Sequence, residues 1–546
     1  MSGIERLVCY NNGSPGLTTM SMTVADESTV RQMLAPSTHV TGRRCPFLPL
    51  LLAILGIVLF PSCGVIRSGL APTQVPPPTP LSAAAYLLEG NSLIALVEGS
   101  LDRPGHVYVE YWAEGIDRLR SRVEQSTGSR FAVHAVRLRP DTEYAFQVFA
   151  TDLAGSVGVG PVGTIASGRL PSGLRESRFD VSKGTPTHDL TFLEFRQAGF
   201  NGLAAIDAAG VVVWYYEGPD GDEPWVMARK PGGNIIYVAG FEGGTTGKGL
   251  VEVSPLGKEL GRLVDQCSPF GPIHHEVLVL PDGRVMYLSR DVLRPGYGDP
   301  LAPQEGDTIG IWDQTTGFNK IVWNIFDFLS PSERTFPASN HTLPGFPMWG
   351  GCERDESVQD WSHADSLHVA DDGSVLIGLR NLDQVVSIAP DFKSLRWRLG
   401  GPGGEFIFAD PSDRFYRPHS ASLLPNGNVL LFDNGNFRPP DEGGQYSRAL
   451  ELSLNLDTMT ASKVWEYRHE PDVFSACCSN VTRLDNGNTL VLFGNNLVEE
   501  CCGPFPIVEV DPSGEAVWLV DHTAPDKPNQ YRVYPSDSIM GETQIP

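Results

Sequence analysis

Three of the chain's twelve histidines stand at related distances from a recurring turn glycine. His275 lies eight residues before Gly283 and His419 eight before Gly427, while His363 lies ten before Gly373 in a copy read as two residues longer. The count of eight also reaches Trp225 from Gly233 and Ser479 from Gly487. Seven residues after the glycine, three copies carry Arg290, Arg380 and Asn434. Imidazole has an ordinary pKa of about 6.5, so at neutral pH it can be base, acid or nucleophile. A guanidinium offers a planar set of donors matched to phosphate-like or sulfate-like oxygens. Histidines and arginine brought to one place suit transfer of an anionic group. One imidazole attacks, arginine and a second imidazole stabilise charge on the oxygens, and a further imidazole protonates the leaving group.

Blander readings compete. A lone histidine in such a chain is more often a hydrogen-bonded structural residue, and equivalent spacing is what argues otherwise here. His274 alternates to the face opposite His275 and reads as packing or as support behind it; His368 reads as structural. Arg290 stands mainly on the symmetry of the repeat, Asn434 and Asn436 read as turn or channel-lining residues, and Arg380 could be spent on a carboxylate such as Asp365. Zinc or copper would suit converging imidazoles, but no short His-x-His or His-x-x-x-His pair occurs, so no metal is expected. The run GGPGGEF, 400–406, lacks the lysine and the strand-to-helix setting of a phosphate loop and reads as a turn.

The elements that would position these residues are strands. Turn-plus-strand copies recur as KPGGNIIYV, LPDGRVMYLS, ADDGSVLIGL, LPNGNVLLFD and LDNGNTLVLF, where Asp-Gly and Asn-Gly favour tight hairpins. A second hairpin, usually ending on tryptophan, recurs as AAIDAAGVVVWYY, LVEVSPLGKELGRL, IGIWDQTTGFNKIVWNI, VVSIAPDFKSLRWRLG, ALELSLNLDTMTASKVWEY and IVEVDPSGEAVWLV. Six copies of a four-strand unit predict an all-β chain with a six-bladed β-propeller over 170–525, whose innermost strands bring equivalent positions to one axis. A Pro-rich linker over 64–82 precedes short alternating strands over 83–168, a small β-sandwich. Within it VRLRPDTEYAFQVFATD resembles the fibronectin type III signature, with Leu138 and Tyr144 pinning a strand corner. Residues 526–546 read as a C-terminal tail, and 291–360 as an insertion that is either a lid or rim ornament.

The net charge of −24, from 41 basic and 65 acidic residues, argues against nucleic acid or an anionic membrane surface as partner. It leaves room for a small anionic substrate, because one local arginine outweighs a global charge. Arg43 and Arg44 precede the apolar run PFLPLLLAILGIVLF (46–60) and then Pro61-Ser62-Cys63. That pattern predicts export to the periplasm or cell surface, with residues 1–63 an N-terminal extension and leader. The chain would be tethered through a lipidated Cys63, cleaved, or anchored by the apolar segment. Six cysteines then remain, Cys267, Cys352, Cys477, Cys478, Cys501 and Cys502, an even number that suggests disulfides in an exported chain.

The stretches DWSHADSLHVADDGSVLIGLRNLDQVVSI and RPHSASLLPNGNVLLFDNGN resemble signature blades of the bacterial arylsulfate sulfotransferases. That resemblance implies an exported propeller with a smaller β-sandwich. It also implies transfer of a sulfuryl group from a phenolic sulfate ester to a phenol, through a sulfohistidine and without nucleotide or other cofactor. Carried over by motif, His419 is the nucleophile, His363 and Arg380 hold the sulfuryl oxygens, and His275 is the acid/base partner. The family's His-x-Asn is here His363-Ala364-Asp365. A carboxylate beside a sulfate ester repels it unless protonated or paired with His or Arg. Two other functions stay open on the sequence: a non-catalytic surface propeller that binds a sulfated or phenolic ligand, and a sulfate-ester hydrolase.

Overall fold

The Asp-Gly and Asn-Gly turns close hairpins in the computed structural model, which describes residues 76–219, 222–240, 249–264, 273–294, 303–333, 358–494, 504–523 and 530–541. At the tips, Gly283, Gly373 and Gly427 have φ of +85°, +80° and +84°. A side chain strains that left-handed backbone, which is why glycine recurs at this position. Each turn is flanked by the same pair, Val279 with Val285, Val369 with Val375 and Leu423 with Val429.

Among the described residues the hairpins assemble into six mainly antiparallel sheets of four or five strands, a propeller-like all-β arrangement. The innermost strands of five of them are Met227–Arg229, His274–Val279, Ala364–Val369, Pro418–Leu423 and Asn480–Arg483. The sixth is Val533–Ser536, which pairs with Leu190–Gln197 and so brings the C-terminal segment into the first sheet. The described part of the stretch read as a C-terminal tail, 530–541, is therefore not a tail. At the other end of the repeat, Arg178–Gly184 forms the outer edge of the last sheet against Ala516–Thr523. Both ends of the repeated region are thus held by backbone ladders to strands more than 300 residues away in sequence. One cavity of about 710 Å³ is lined by the innermost strands of all six sheets.

Side chains that alternate off the strands fill the spaces between neighbouring sheets. Leu376, Val385, Leu399, Val429, Leu431 and Leu450 form one such core, and Leu430, Phe432, Val491 and Val508 the next. Each fully buried aliphatic side chain contributes ~1.5–3 kcal/mol, and together they hold the inner strands in fixed register around the cavity.

Two further sheets precede this region. One is Pro80–Leu88, Asn91–Leu101 and Arg130–Ala135; the other contains His106–Ala113, Ile116–Arg120, Glu143–Thr151 and Val157–Ala166. They share a core that includes Leu93, Val97, Val109, Tyr111 and Val148. Leu138 and Tyr144 are buried, and the Tyr144 hydroxyl accepts from the Arg139 N–H at 2.9 Å. Residues 1–63, the parts 295–302 and 334–357 of the stretch read as an insertion, and Cys267, Cys352, Cys501 and Cys502 lie outside the described residues. The rest of that stretch is no separate lid or ornament, because Gln304–Asp313 and Phe318–Asn324 are strands of the third sheet. Cys477 and Cys478 hold their sulfurs 3.2 Å apart, wider than the ~2.05 Å of a disulfide.

Candidate functional site

The innermost strands change register near the ends that carry the histidines. Irregularities fall between His274 and Val277, Ala364 and Ser366, and His419 and Ser422. Bulges of this kind re-aim side chains, and three residues beside them, His275, His363 and Ser420, adopt φ of +50° to +55°. The pairing also corrects the count along the repeat. Val369 meets Val375 just as Val279 meets Val285, so the fourth sheet has no extra residues at its turn. Asp365 is the residue eight before Gly373; it and His275 fall in the irregularities, while His419 pairs with Phe432 and His363 lies in the approach to the strand.

His419 is buried, and its Nδ1 lies 2.6 Å from Asn434 Oδ1, 3.3 Å from the Arg417 carbonyl and 3.2 Å from Asp365 Oδ2. The Asn434 amide nitrogen donates to the carbonyls of Ser475 and Cys478 at 2.7 and 3.2 Å, so its oxygen must face the imidazole. Nδ1 then carries the proton and Nε2 the lone pair. Burial, followed by the charges of Arg380 and His363, holds His419 well below the ordinary histidine pKa. The ring is neutral at neutral pH, as a nucleophile must be.

His275 and His363 meet edge to face at a ring separation of 4.8 Å. His363 Nδ1 is 2.5 Å from Asp360 Oδ2, and the Asp360 carboxyl is held low because the charges of His363, Arg290 and Arg380 overcome its burial. Behind His275, His274 Nδ1 lies 2.9 Å from His275 Nδ1, and His274 Nε2 lies 3.3 Å from Asp307 Oδ1. His274 thus links His275 to a carboxylate. Burial first, then the neighbouring His363 and His274, pushes the His275 pKa well down.

Arg380 is half-buried. Its guanidinium donates to Asn381 Oδ1 at 3.1 Å and to the Ala476 carbonyl at 3.2 Å, and it forms no ion pair with Asp365 or another carboxylate among the described residues. Its positive charge is therefore not neutralised by a paired carboxylate, and it acts on the neighbouring Asp360 and His419. Arg290, in contrast, is buried against Glu305 at 3.2 Å, and its charge is taken up within the fold. Asn434 has both ends of its amide engaged with the protein, which makes it a support for His419 rather than a substrate contact. The Asp365 carboxyl is fully buried and accepts no hydrogen bond among the described residues. Burial raises its pKa to about 8 against the opposing charges of Arg532, His363 and Arg380. At neutral pH it is a neutral acid, so the repulsion expected from a carboxylate is absent.

Tyr531 and Arg532 complete the site from the C-terminal segment, and the repeat alone does not reveal them. Tyr531 packs 5.6 Å from His275, 6.2 Å from His419 and 5.2 Å from Trp225, ring to ring. Arg532 pairs with Glu276 at 2.5 Å and donates to the Asp365 carbonyl at 2.6 Å. Buried Glu194 accepts from the backbone N–H of both residues, at 2.5 and 3.0 Å. The sequence signal that could have found them is the strand-like alternation of YRVYPS.

Gly400, Gly401 and Gly403 all have positive φ, as a turn requires. Asn480 is buried, with its amide nitrogen on the Val533 carbonyl at 3.0 Å. Among the described residues, no three His, Cys, Asp or Glu groups are placed to hold a metal ion.

A family model described as arylsulfotransferase (ASST) matches residues 179–532. No curated protein matches the chain. Among solved structures, a protein of unknown function from Bacteroides caccae is 16% identical, covers 64% of this chain and 100% of its own, and superposes with a TM-score of 0.39. A virginiamycin B lyase from Staphylococcus aureus is 10% identical, covers 79% of this chain and 100% of its own, at 0.31. Likenesses this weak carry nothing about function.

Proposed function

Because the chain belongs to the arylsulfotransferase family, we propose that it moves a sulfuryl group from a phenolic sulfate ester to a phenol through a sulfohistidine at His419. The observation that supports this most directly is the Nδ1 hydrogen bond to Asn434, which leaves a neutral imidazole with its lone pair on Nε2. In the first half-reaction Nε2 attacks sulfur, the N–S bond forms, and the S–O bond to the aryl group breaks with its electron pair on the phenolate. Arg380 and His363 hold the sulfuryl oxygens as charge shifts between them. His275, kept neutral by its surroundings, exchanges the phenolic proton. A second phenol then attacks sulfur and restores His419.

In this reading the six sheets are six blades around the site. The module over 83–168 is fibronectin type III-like and places the enzyme rather than taking part in chemistry. Export, with or without a lipid at Cys63, rests on the leader-like run at 46–60.

The test is release of nitrophenolate from p-nitrophenyl sulfate, with and without added phenol, by the native chain and by His419→Ala. Phenol should accelerate release, and the variant should lose at least ~10³-fold of that rate. Release that phenol leaves unchanged would instead indicate a hydrolase. No release from any of several aryl sulfates would point to a binding propeller.

A further inference from the structure

His419 is embraced on its Nδ1 side by two different groups. Asn434 Oδ1, at 2.6 Å, has its orientation dictated by the backbone carbonyls it serves and can only accept. Asp365 Oδ2, at 3.2 Å, belongs to a carboxyl that is fully buried and accepts no hydrogen bond among the described residues. An amide in place of this carboxyl would have the same shape, so shape alone does not account for an acid here. What the carboxyl adds is the capacity to change charge next to a ring that changes charge during the reaction.

We propose that Asp365 is the counter-ion of sulfurylated His419, shedding a proton as the ring takes the sulfuryl group and regaining one as the group leaves. The inference rests on the sulfohistidine reading above. In the resting site the imidazole and the carboxyl are neutral and the bound ester carries one negative charge. When Nε2 bonds to sulfur and the aryl oxygen departs with the S–O electron pair, the ring keeps its Nδ1 proton and becomes positive. The sulfuryl group remains negative. The Asp365 proton passes to solvent, or ends on the phenolate oxygen where that oxygen is basic. The pocket then holds a positive ring, a negative sulfuryl group and a negative carboxylate. Its net charge is again minus one, so the buried site never gains an uncompensated charge. In the second half-reaction the acceptor phenol attacks sulfur and loses its proton, and one proton returns to Asp365.

The groups that face Asp365 are compatible with this exchange. Arg532 and the Tyr531 hydroxyl donate to its backbone carbonyl, at 2.6 and 3.3 Å. The charges of Arg532, His363 and Arg380 and the neighbouring Ser366 side chain favour the ionised form, while Glu276 offsets Arg532. Burial outweighs them in the resting state. A positive imidazole ring 3.2 Å away is the additional charge that tips the balance.

The experiment is a proton count. The native chain is mixed in weak buffer near neutral pH with a dinitrophenyl sulfate, whose phenolate stays ionised and takes up no proton, and no acceptor is added. A pH indicator and dinitrophenolate absorbance are followed together through the burst. We expect one proton released per dinitrophenolate in the burst, and none from Asp365→Asn. In the native chain the count should fall towards zero as the pH is raised through about 8, where the resting carboxyl is already ionised. An equal count from Asp365→Asn, or a native count that does not fall at high pH, overturns the counter-ion role. Should the variant form no burst, the native pH series decides alone. A native chain that shows no dinitrophenolate burst at all removes the sulfohistidine reading, and this proposal with it.

Discussion

Asn434 accepts the Nδ1 proton of His419 across 2.6 Å, while its own amide nitrogen is held by the carbonyls of Ser475 and Cys478. The asparagine cannot turn round without losing both donor contacts, so the tautomer of His419 is set by backbone geometry. This is the orienting role that a buried aspartate plays behind a catalytic histidine elsewhere.

Replacing Asn434 by alanine removes the acceptor and lets the ring reorient. We expect kcat to fall ~10–100-fold, as when the group that orients a metal-ligating histidine is lost. KM should change little, because Asn434 engages the protein at both ends. Steady-state kinetics with p-nitrophenyl sulfate separates the two. A large rise in KM with unchanged kcat would return Asn434 to the substrate side.

Arg380 pairs with no carboxylate among the described residues, whereas Arg290 pairs with Glu305. Arg380→Lys should therefore lower kcat/KM by ~10²–10³-fold, because a point charge does not reproduce a planar clamp on sulfuryl oxygens. Arg290→Lys should act chiefly on stability, seen as a lower melting temperature with much of the activity retained. Equal kinetic losses from the two substitutions would contradict this division.

Asp365 lowers stability at neutral pH. Its folded pKa of about 8 lies above the unfolded value near 3.8. Between those two values the folded chain holds a proton that the unfolded chain has released, so this residue makes stability fall as pH rises from about 4 to about 8. Asp365→Asn should raise the melting temperature at pH 7, with a gain on the order of 2–4 kcal/mol that shrinks to nothing near pH 4. Melting curves at the two pH values test it; a variant less stable than the native chain at pH 7 would refute it.

His522 works in the opposite direction. It is buried, both ring nitrogens are without partners among the described residues, and its ring stacks 4.4 Å from Phe179. Burial lowers its pKa to about 3, so the unfolded chain binds a proton below 6.5 that the folded chain refuses. Stability is lost as pH falls from 6.5 towards 3, at ~1.4 kcal/mol per pH unit. His522→Phe should remove this part of the acid sensitivity and gain ~2 kcal/mol at pH 5 relative to the native chain. An unchanged slope of stability against pH would assign the acid sensitivity to other groups.

Local chemistry made much of the fold legible in the sequence. The tip glycines had to recur because the hairpins need a positive φ there. Alternation fixed which side chains fill the spaces between sheets, and counting from the glycine found His275, His419, Arg380 and Asn434. The same count went astray at His363, because it assumed two extra residues where the ladder from Val369 to Val375 admits none.

Hairpin positions, the all-β class and the grouping of the histidines thus follow from the sequence itself, since turn conformation and period-two burial depend on neighbours a few residues away. Tyr531 and Arg532 do not, because the pairing of Val533–Ser536 with Leu190–Gln197 joins segments more than 300 residues apart and is decided by how the six sheets meet. The charge of Asp365 is likewise tertiary: a carboxyl that reads as repulsive in the sequence becomes a neutral acid once the surrounding strands remove it from water.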